Sequence, residues 1–274
     1  MAIVSLTIGV HCGGETLAEE VAQALGARCV SREVLLEAAR TFNVPEAKIS
    51  QVFEKTPSFW ERMTESRRTF LAYIQAALAD WAREDKLVYH GNAGQEILRE
   101  VPHALRVRVD VPMRQRVRIG MQAMGASEDQ VRRFIEQADD DRAKRLRYFF
   151  NADWKDISLY DLVINVDRLD MTDAKELILA TVRRPQFQLT PDKQGAFRDY
   201  LLKSRIYAML AAALVGRLSL IGVSVQDGVV TLSGTVTSHE STLDQLVHQI
   251  QAIQGVKQVH NEIVVGVVYH EWNV

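Results

Sequence analysis

The first apolar segment of the chain is a β-rich run at residues 3–8, and it passes directly into Gly9-Val-His-Cys-Gly-Gly-Glu-Thr16. Leu17, Val21, Ala24 and Leu25 then share one helical face, and Gly26 stops that helix. Strand, glycine-rich turn and helix form the opening of a parallel α/β domain. The spacing predicts further helices over 31–42 and 59–84, a strand at Leu87–His90 leading into Gly91-Asn-Ala-Gly94 and another helix, and a strand at Leu105–Val111 before Pro112. Charge-rich helical sequence fills 113–150, Tyr160–Asn165 reads as a buried strand, and a helix at 172–183 ends near Arg184-Pro185.

Beyond that point the texture changes. Pro185 and Pro191 bracket a polar stretch, Gln186–Asp192, that reads as a linker. A helix over about 193–215 follows, then two strands of period two (Val223 and Val225, then Val230, Leu232 and Val236) joined at Asp227-Gly228. That dipeptide is of the kind that closes two-residue hairpins. Leu243, Leu246, Val247 and Ile250 give an amphipathic helix, and a last strand runs around Val259–Val265. Within this region Ile206–Val225 is long enough to cross a bilayer. Arg217 beside Gly216, and the switch to alternation at Ile221, Val223 and Val225, read instead as a buried helix followed by a strand.

Composition narrows the class. The chain has 274 residues, 47% hydrophobic and 25% charged, with 6 Pro and 15 Gly, which excludes a disordered or low-complexity chain and suits about two domains. With 33 Lys+Arg against 35 Asp+Glu, no basic excess points to nucleic acid as a partner. Cys12 and Cys29 form neither a disulfide framework nor a zinc motif, and the apolar N-terminus lacks the basic start of a secretory signal, so a cytoplasmic location is expected, with no transmembrane segment.

The candidate chemistry sits in the glycine turn. A strand followed by G-x-x-x-x-G-K-[ST] surrounds phosphates with backbone N–H groups, while its lysine neutralises charge and its hydroxyl helps to hold Mg²⁺. Residues Gly9–Thr16 keep the glycines and the threonine, but the lysine position is Glu15, and no lysine precedes Lys48. The competing reading is a tight strand-to-helix connection in which Glu15 only complements the helix N-terminus.

Four segments carry a resemblance to the cytidylate kinase-like family of P-loop nucleoside monophosphate kinases. They are Thr7 through Gly26, Val30-Ser-Arg-Glu33, Gly91-Asn-Ala-Gly-Gln95 with Ile97-Leu-Arg99, and Asp141-Arg-Ala143 through Tyr148-Phe-Phe150, Asp153-Trp154 and Tyr160–Asn165. The resemblance covers about residues 3–182. It implies a three-layer α/β fold, a P-loop kinase-like parallel sheet with flanking helices. It also implies phosphoryl transfer from ATP with Mg²⁺ to CMP or a related acceptor. Carried over by position, Gly9, His11, Gly13, Gly14, Glu15 and Thr16 would meet the ATP phosphates, with Thr16 also at the metal. Arg32, Asn92, Gln95 and Arg114 would face the acceptor, and Arg116, Asp141, Arg142 and Arg145 would act from a mobile lid. Between Leu98 and Phe150 there are 12 Lys+Arg and 8 Asp+Glu, a local cationic excess suited to phosphate.

The departures from the family share a direction. The loop is two residues shorter than that branch shows, Glu15 replaces lysine, Ser31 replaces an acid before Arg32, and Asn92 replaces an arginine after Gly91. A catalytically degenerate nucleotide sensor is therefore the alternative to an active kinase. The C-terminal stretch, Val223–Val236 and Gly255-Val256 through Val264, resembles a BON domain, a small α+β module associated with bacterial envelope and stress proteins. That resemblance implies binding of a phospholipid or a protein partner, without catalysis. Residues 192–274 hold 6 Lys+Arg and 7 Asp+Glu, which gives anionic lipid no electrostatic advantage. His239, His248, His260 and His270 there have no metal-site spacing and read as scattered surface residues. The expected division is 1–186, a linker at 187–192, and 193–268.

Overall fold

A computed structural model describes residues 2–45, 47, 64–83, 86–91, 93–214, 220–236 and 240–265. The larger sheet has five parallel strands: β1 (Ala2–Ile8), β2 (Arg28–Val30), β3 (Lys86–His90), β4 (Ala104–Asp110) and β5 (Leu162–Asn165). Their spatial order is β2-β3-β1-β4-β5. All seven residues of the central β1 are buried, Ser5 and Thr7 included, which is why its sequence runs apolar rather than alternating: both faces of a parallel sheet are covered. Val4 lies opposite Val88 on one side and Leu105 on the other.

The helices of this part are α1 (Gly14–Leu25), α2 (Glu33–Thr41), α3 (Thr64–Ala82), the short α4 (Gly94–Ile97), α5 (Met113–Met124), α6 (Glu128–Phe150) and α7 (Met171–Val182). One apolar cluster joins Val4, Leu6 and Ile8 to Leu17 and Val21 of α1 and Ile178 of α7. The other joins Ile3, Leu87 and Tyr89 to Val34 of α2 and to Ile74 and Leu78 of α3. The result is the expected helix–sheet–helix sandwich.

Three details differ from the sequence expectation. The strand expected to be buried over Tyr160–Asn165 is the edge strand β5, Leu162–Asn165, in which only Ile164 is buried. Strand β2 was not foreseen; three residues are too short for a readable period, and its existence rests on pairing Arg28, Cys29 and Val30 with Leu87, Val88 and Tyr89. The helical stretch 113–150 is two helices, divided where Gly125 adopts a left-handed φ of 62° and Ser127 and Gln130 form a capping box. Residues 59–63 and 84 of the expected helix, together with Asn92, Gly216, Arg217, His239 and His270, lie outside the described residues.

After a 3-10 turn at Pro185–Phe187, Pro191 sits in the first turn of α8 (Pro191–Ala213). Strands β6 (Ile221–Gln226) and β7 (Val229–Val236) pair antiparallel, α9 (Glu240–Gln251) follows, and β8 (Gln258–Val265) lies parallel to β7. The run Ile206–Val225 therefore divides into helix and strand, and among the described residues no helix is long and apolar enough to cross a membrane. Asp227 and Gly228 both hold positive φ, 50° and 78°, as a two-residue hairpin turn requires. Asp199 of α8 accepts the backbone N–H groups of Asp227 at 2.6 Å and Gly228 at 2.9 Å. Helix α8 also packs along α3, and Phe197, Tyr200, Ile206 and Leu210 share one apolar cluster with Ile74, Leu78, Val230, Leu232 and Ile250.

Candidate functional site

The parallel sheet brings the carboxyl ends of its strands to one edge, where α/β proteins place ligands. The glycine turn leaves β1 at this edge. Gly13 caps α1 in the left-handed region at φ 69°, and Gly14 is the first helical residue. A Cβ on Gly14 would collide with the Ile8 side chain and stand 2.8 Å from His90 Nε2, so only glycine lets the helix start this close to β1 and β3. Glu15 and Thr16 follow, exposed, in the first turn. There Glu15 complements the helix dipole, as the competing reading requires, while the free first-turn amides still suit an anion.

Two arginines of the α5–α6 pair reach back to the turn. Arg142 donates to the Ile8 carbonyl at 2.8 Å, and Arg116 Nε donates to the Val10 carbonyl at 3.1 Å. The Arg116 guanidinium lies against Gly9, where a Cβ would stand 2.8 Å from its central carbon. Asp139 receives both of its terminal nitrogens, at 2.6 and 2.8 Å. Burial opposes the Arg116 charge, yet the hydrogen bonds and charge of Asp139 outweigh it and raise the pKa above the usual arginine value. Val10 packs with Val117, Val131 and Ile135, and His11, at φ 54°, puts its ring 5.5 Å from that of Phe134. The apex of the turn is thus covered by α5 and α6, and His11 is part of that packing.

Beside the turn lies a cleft lined by Thr7, Gly91, Ala93, Gln95, Arg142, Arg145, Leu146, Phe149 and Trp154. Gln95 is 1% exposed, and its Oε1 accepts from the Thr7 hydroxyl at 3.0 Å. Two guanidinium groups lie over the Trp154 ring, Arg108 at 4.8 Å and Arg142 at 5.3 Å from its centre. Burial lowers the pKa of both Arg142 and Arg145; Asp139 opposes the shift at Arg142, and Asp141 opposes it at Arg145. Arg145 Nε and Trp154 Nε1 are buried N–H donors without a partner among the described residues. Leaving such donors unpaired costs about 1–3 kcal/mol each.

Of the residues singled out in the sequence, Gln95, Arg142 and Arg145 line the cleft, and Gly9, Gly13, Gly14 and Arg116 shape the glycine turn. Asp141 accepts from Gln137 at 3.0 Å and supports Arg145 electrostatically. Arg32 is exposed at the start of α2, and Arg114 is exposed and paired with Asp167; neither lines the cleft. His248 and His260 are exposed. Sequence reasoning missed Thr7, Asp139, His90 and Arg108, and it assigned no role to Trp154 or Phe149. His90 closes β3 beside Gly14; burial and then the Arg142 charge lower its pKa, opposed by Glu15. Cys12, under the turn, is pushed up to about 11 by burial, with Arg116 the largest opposing influence.

Two family models match the chain, over separate stretches. A family model described as the cytidylate kinase-like family matches residues 3–168, and a BON domain model matches residues 199–267. Among solved structures, an uncharacterized protein from Eubacterium ventriosum ATCC 27560 is 16% identical with a TM-score of 0.52, covering 66% of this chain and 97% of its own. A shikimate kinase from Bacteroides thetaiotaomicron is 15% identical with a TM-score of 0.42, covering 67% and 99%. A gluconokinase from Sinorhizobium meliloti 1021 is 9% identical with a TM-score of 0.38, covering 65% and 90%. No curated protein matches the chain.

Proposed function

The chain belongs to the cytidylate kinase-like family, and from that premise we infer that it binds a nucleoside monophosphate, CMP or a close relative, in the cleft and phosphorylates it from ATP. The observation that carries this reading is the pair of unpartnered donors, Arg145 Nε and Trp154 Nε1, beside the charged Arg142. A phosphate monoester supplies the acceptor oxygens these groups lack, and Phe149 offers an aromatic wall for a base. Phosphoryl transfer is mostly positioning and charge neutralisation, so an arginine-lined cleft beside a glycine turn suits it chemically.

The residues fit ATP and Mg²⁺ in shape more than in charge. The turn offers the αL cap at Gly13, the close start at Gly14 and the Thr16 hydroxyl, which would hold Mg²⁺. Mg²⁺ would supply neutralisation of the donor phosphates. Glu15 works against this, yet it is exposed, and repulsion between unit charges at 4 Å in water is only about 1 kcal/mol. Binding is therefore expected to survive better than rate, because a lysine's contribution is largest in the transition state.

Glu15 also favours a second reading, a nucleotide sensor without turnover whose BON module binds a phospholipid or protein partner and serves as the output. The free thiols of Cys12 and Cys29 support a cytoplasmic location. ADP formation from ATP, Mg²⁺ and a panel of monophosphates separates the two readings. Turnover with CMP or a relative supports the kinase. No turnover, with thermal stabilisation by nucleotide retained, supports the sensor.

A further inference from the structure

We propose that Asp139 is an internal anion that occupies Arg116 in place of a ligand's phosphate, so that filling the glycine turn requires the Arg116–Asp139 pair to open. The proposal rests on the nucleotide-binding reading of the turn and adds a control to it.

Three observations carry it. First, Arg116 is the cation laid directly on Gly9, the first glycine of the turn, yet three of its donor directions are already used: Nε on the Val10 carbonyl, and both terminal nitrogens on Asp139. A bidentate guanidinium–carboxylate pair presents the same fork geometry that a phosphate would accept. Second, the pair is largely withdrawn from water, with 8% of the Arg116 side chain and 19% of the Asp139 side chain exposed. A neutralised, desolvated arginine offers little attraction to an incoming anion until its carboxylate leaves. Third, the two residues belong to different helices, Arg116 to α5 and Asp139 to α6, and the same helices pack against the half-buried Val10 and His11 at the apex of the turn. Separating the pair therefore loosens the cover over the turn as it frees the cation. The field of Asp139 also reaches Arg142 and Cys12, which places its carboxylate within the electrostatics of the turn.

A brace that only holds α5 to α6 makes a different prediction from an anion that competes with ligand. Inorganic pyrophosphate is titrated calorimetrically into the full chain as wild type, Asp139→Asn and Asp139→Ala. Competition predicts that both variants bind pyrophosphate at least about tenfold more tightly than wild type. It also predicts that pyrophosphate restores thermal stability lost on removal of the carboxylate. Folded variants with unchanged or weaker affinity overturn the proposal. If a variant is too unstable to titrate, recovery of its folded circular dichroism signal on adding pyrophosphate is read instead, and failure to recover also overturns it. Wild type that turns over or binds MgATP, with variants no tighter for pyrophosphate, removes the role of Asp139 and leaves the nucleotide reading standing. No pyrophosphate or MgATP binding by any form removes both.

Discussion

The buried hydroxyl of Tyr200 donates to the backbone carbonyl of Ile97 at 3.2 Å, tying α8 to the turn of α4 that carries Gln95. Burial raises the Tyr200 pKa, so the hydroxyl remains a donor throughout the ordinary pH range. Tyr200→Phe keeps the ring and removes the donor. It is expected to lower unfolding free energy by about 1–2 kcal/mol in urea titrations, and an unchanged midpoint would mean that Ile97 finds another partner.

Glu15→Lys exchanges repulsion for attraction at the first turn of α1. ATP affinity measured by calorimetry should rise, by about tenfold if two unit-charge terms of about 1 kcal/mol are each partly screened. Unchanged or weaker affinity would mean that phosphate does not approach this helix end.

His90 supplies a pH dependence. Its folded pKa lies below the ordinary 6.5, because of burial and Arg142, with Glu15 opposing. Above that value the imidazole is neutral in both folded and unfolded chains. As pH falls below it, the unfolded chain takes up a proton that the folded chain refuses, so stability declines until the folded imidazole also protonates. Between pH 7.5 and 5.5 wild type should lose more unfolding free energy than His90→Gln. Parallel curves for the two proteins would contradict the assignment.

The thiols are expected to be slow. With Cys12 near pKa 11, only about one molecule in a thousand carries that thiolate at pH 8, and burial raises Cys29 as well. Iodoacetamide at pH 8 should label the native protein slowly at both positions and the urea-unfolded protein quickly. Rapid native labelling mapped to Cys12 would contradict this environment.

The frame of the fold was legible where the chain repeats a simple physical rule. The run at 3–8, the stop at Gly26 and the Asp227-Gly228 turn each follow from local sterics or from burial on two faces. Strand β2 was not legible, because three residues such as Arg28-Cys29-Val30 become a strand only through their partner β3. Within the site, Gln95, Arg142 and Arg145 were reachable through family resemblance. Asp139 was not, since it stands in a run of three aspartates and is distinguished only by an arginine 23 residues away on another helix. Thr7 looks like one more residue of a buried strand until Gln95 is seen beside it. Arg114 and Arg32, singled out by motif position for acceptor contacts, stand at exposed sites outside the cleft lining.

The apolar cluster shared by α3 and α8 makes the chain less of a cassette than its two matching family models suggest. Cut before Pro191, the first part would bare the face of α3 that packs on α8, and each large side chain so exposed forfeits about 1.5–3 kcal/mol. The two segments are thus expected to melt in one transition, and the truncated first part to aggregate. The two sheets are separate, yet the apolar seam between α3 and α8 runs across the place where the two matches part.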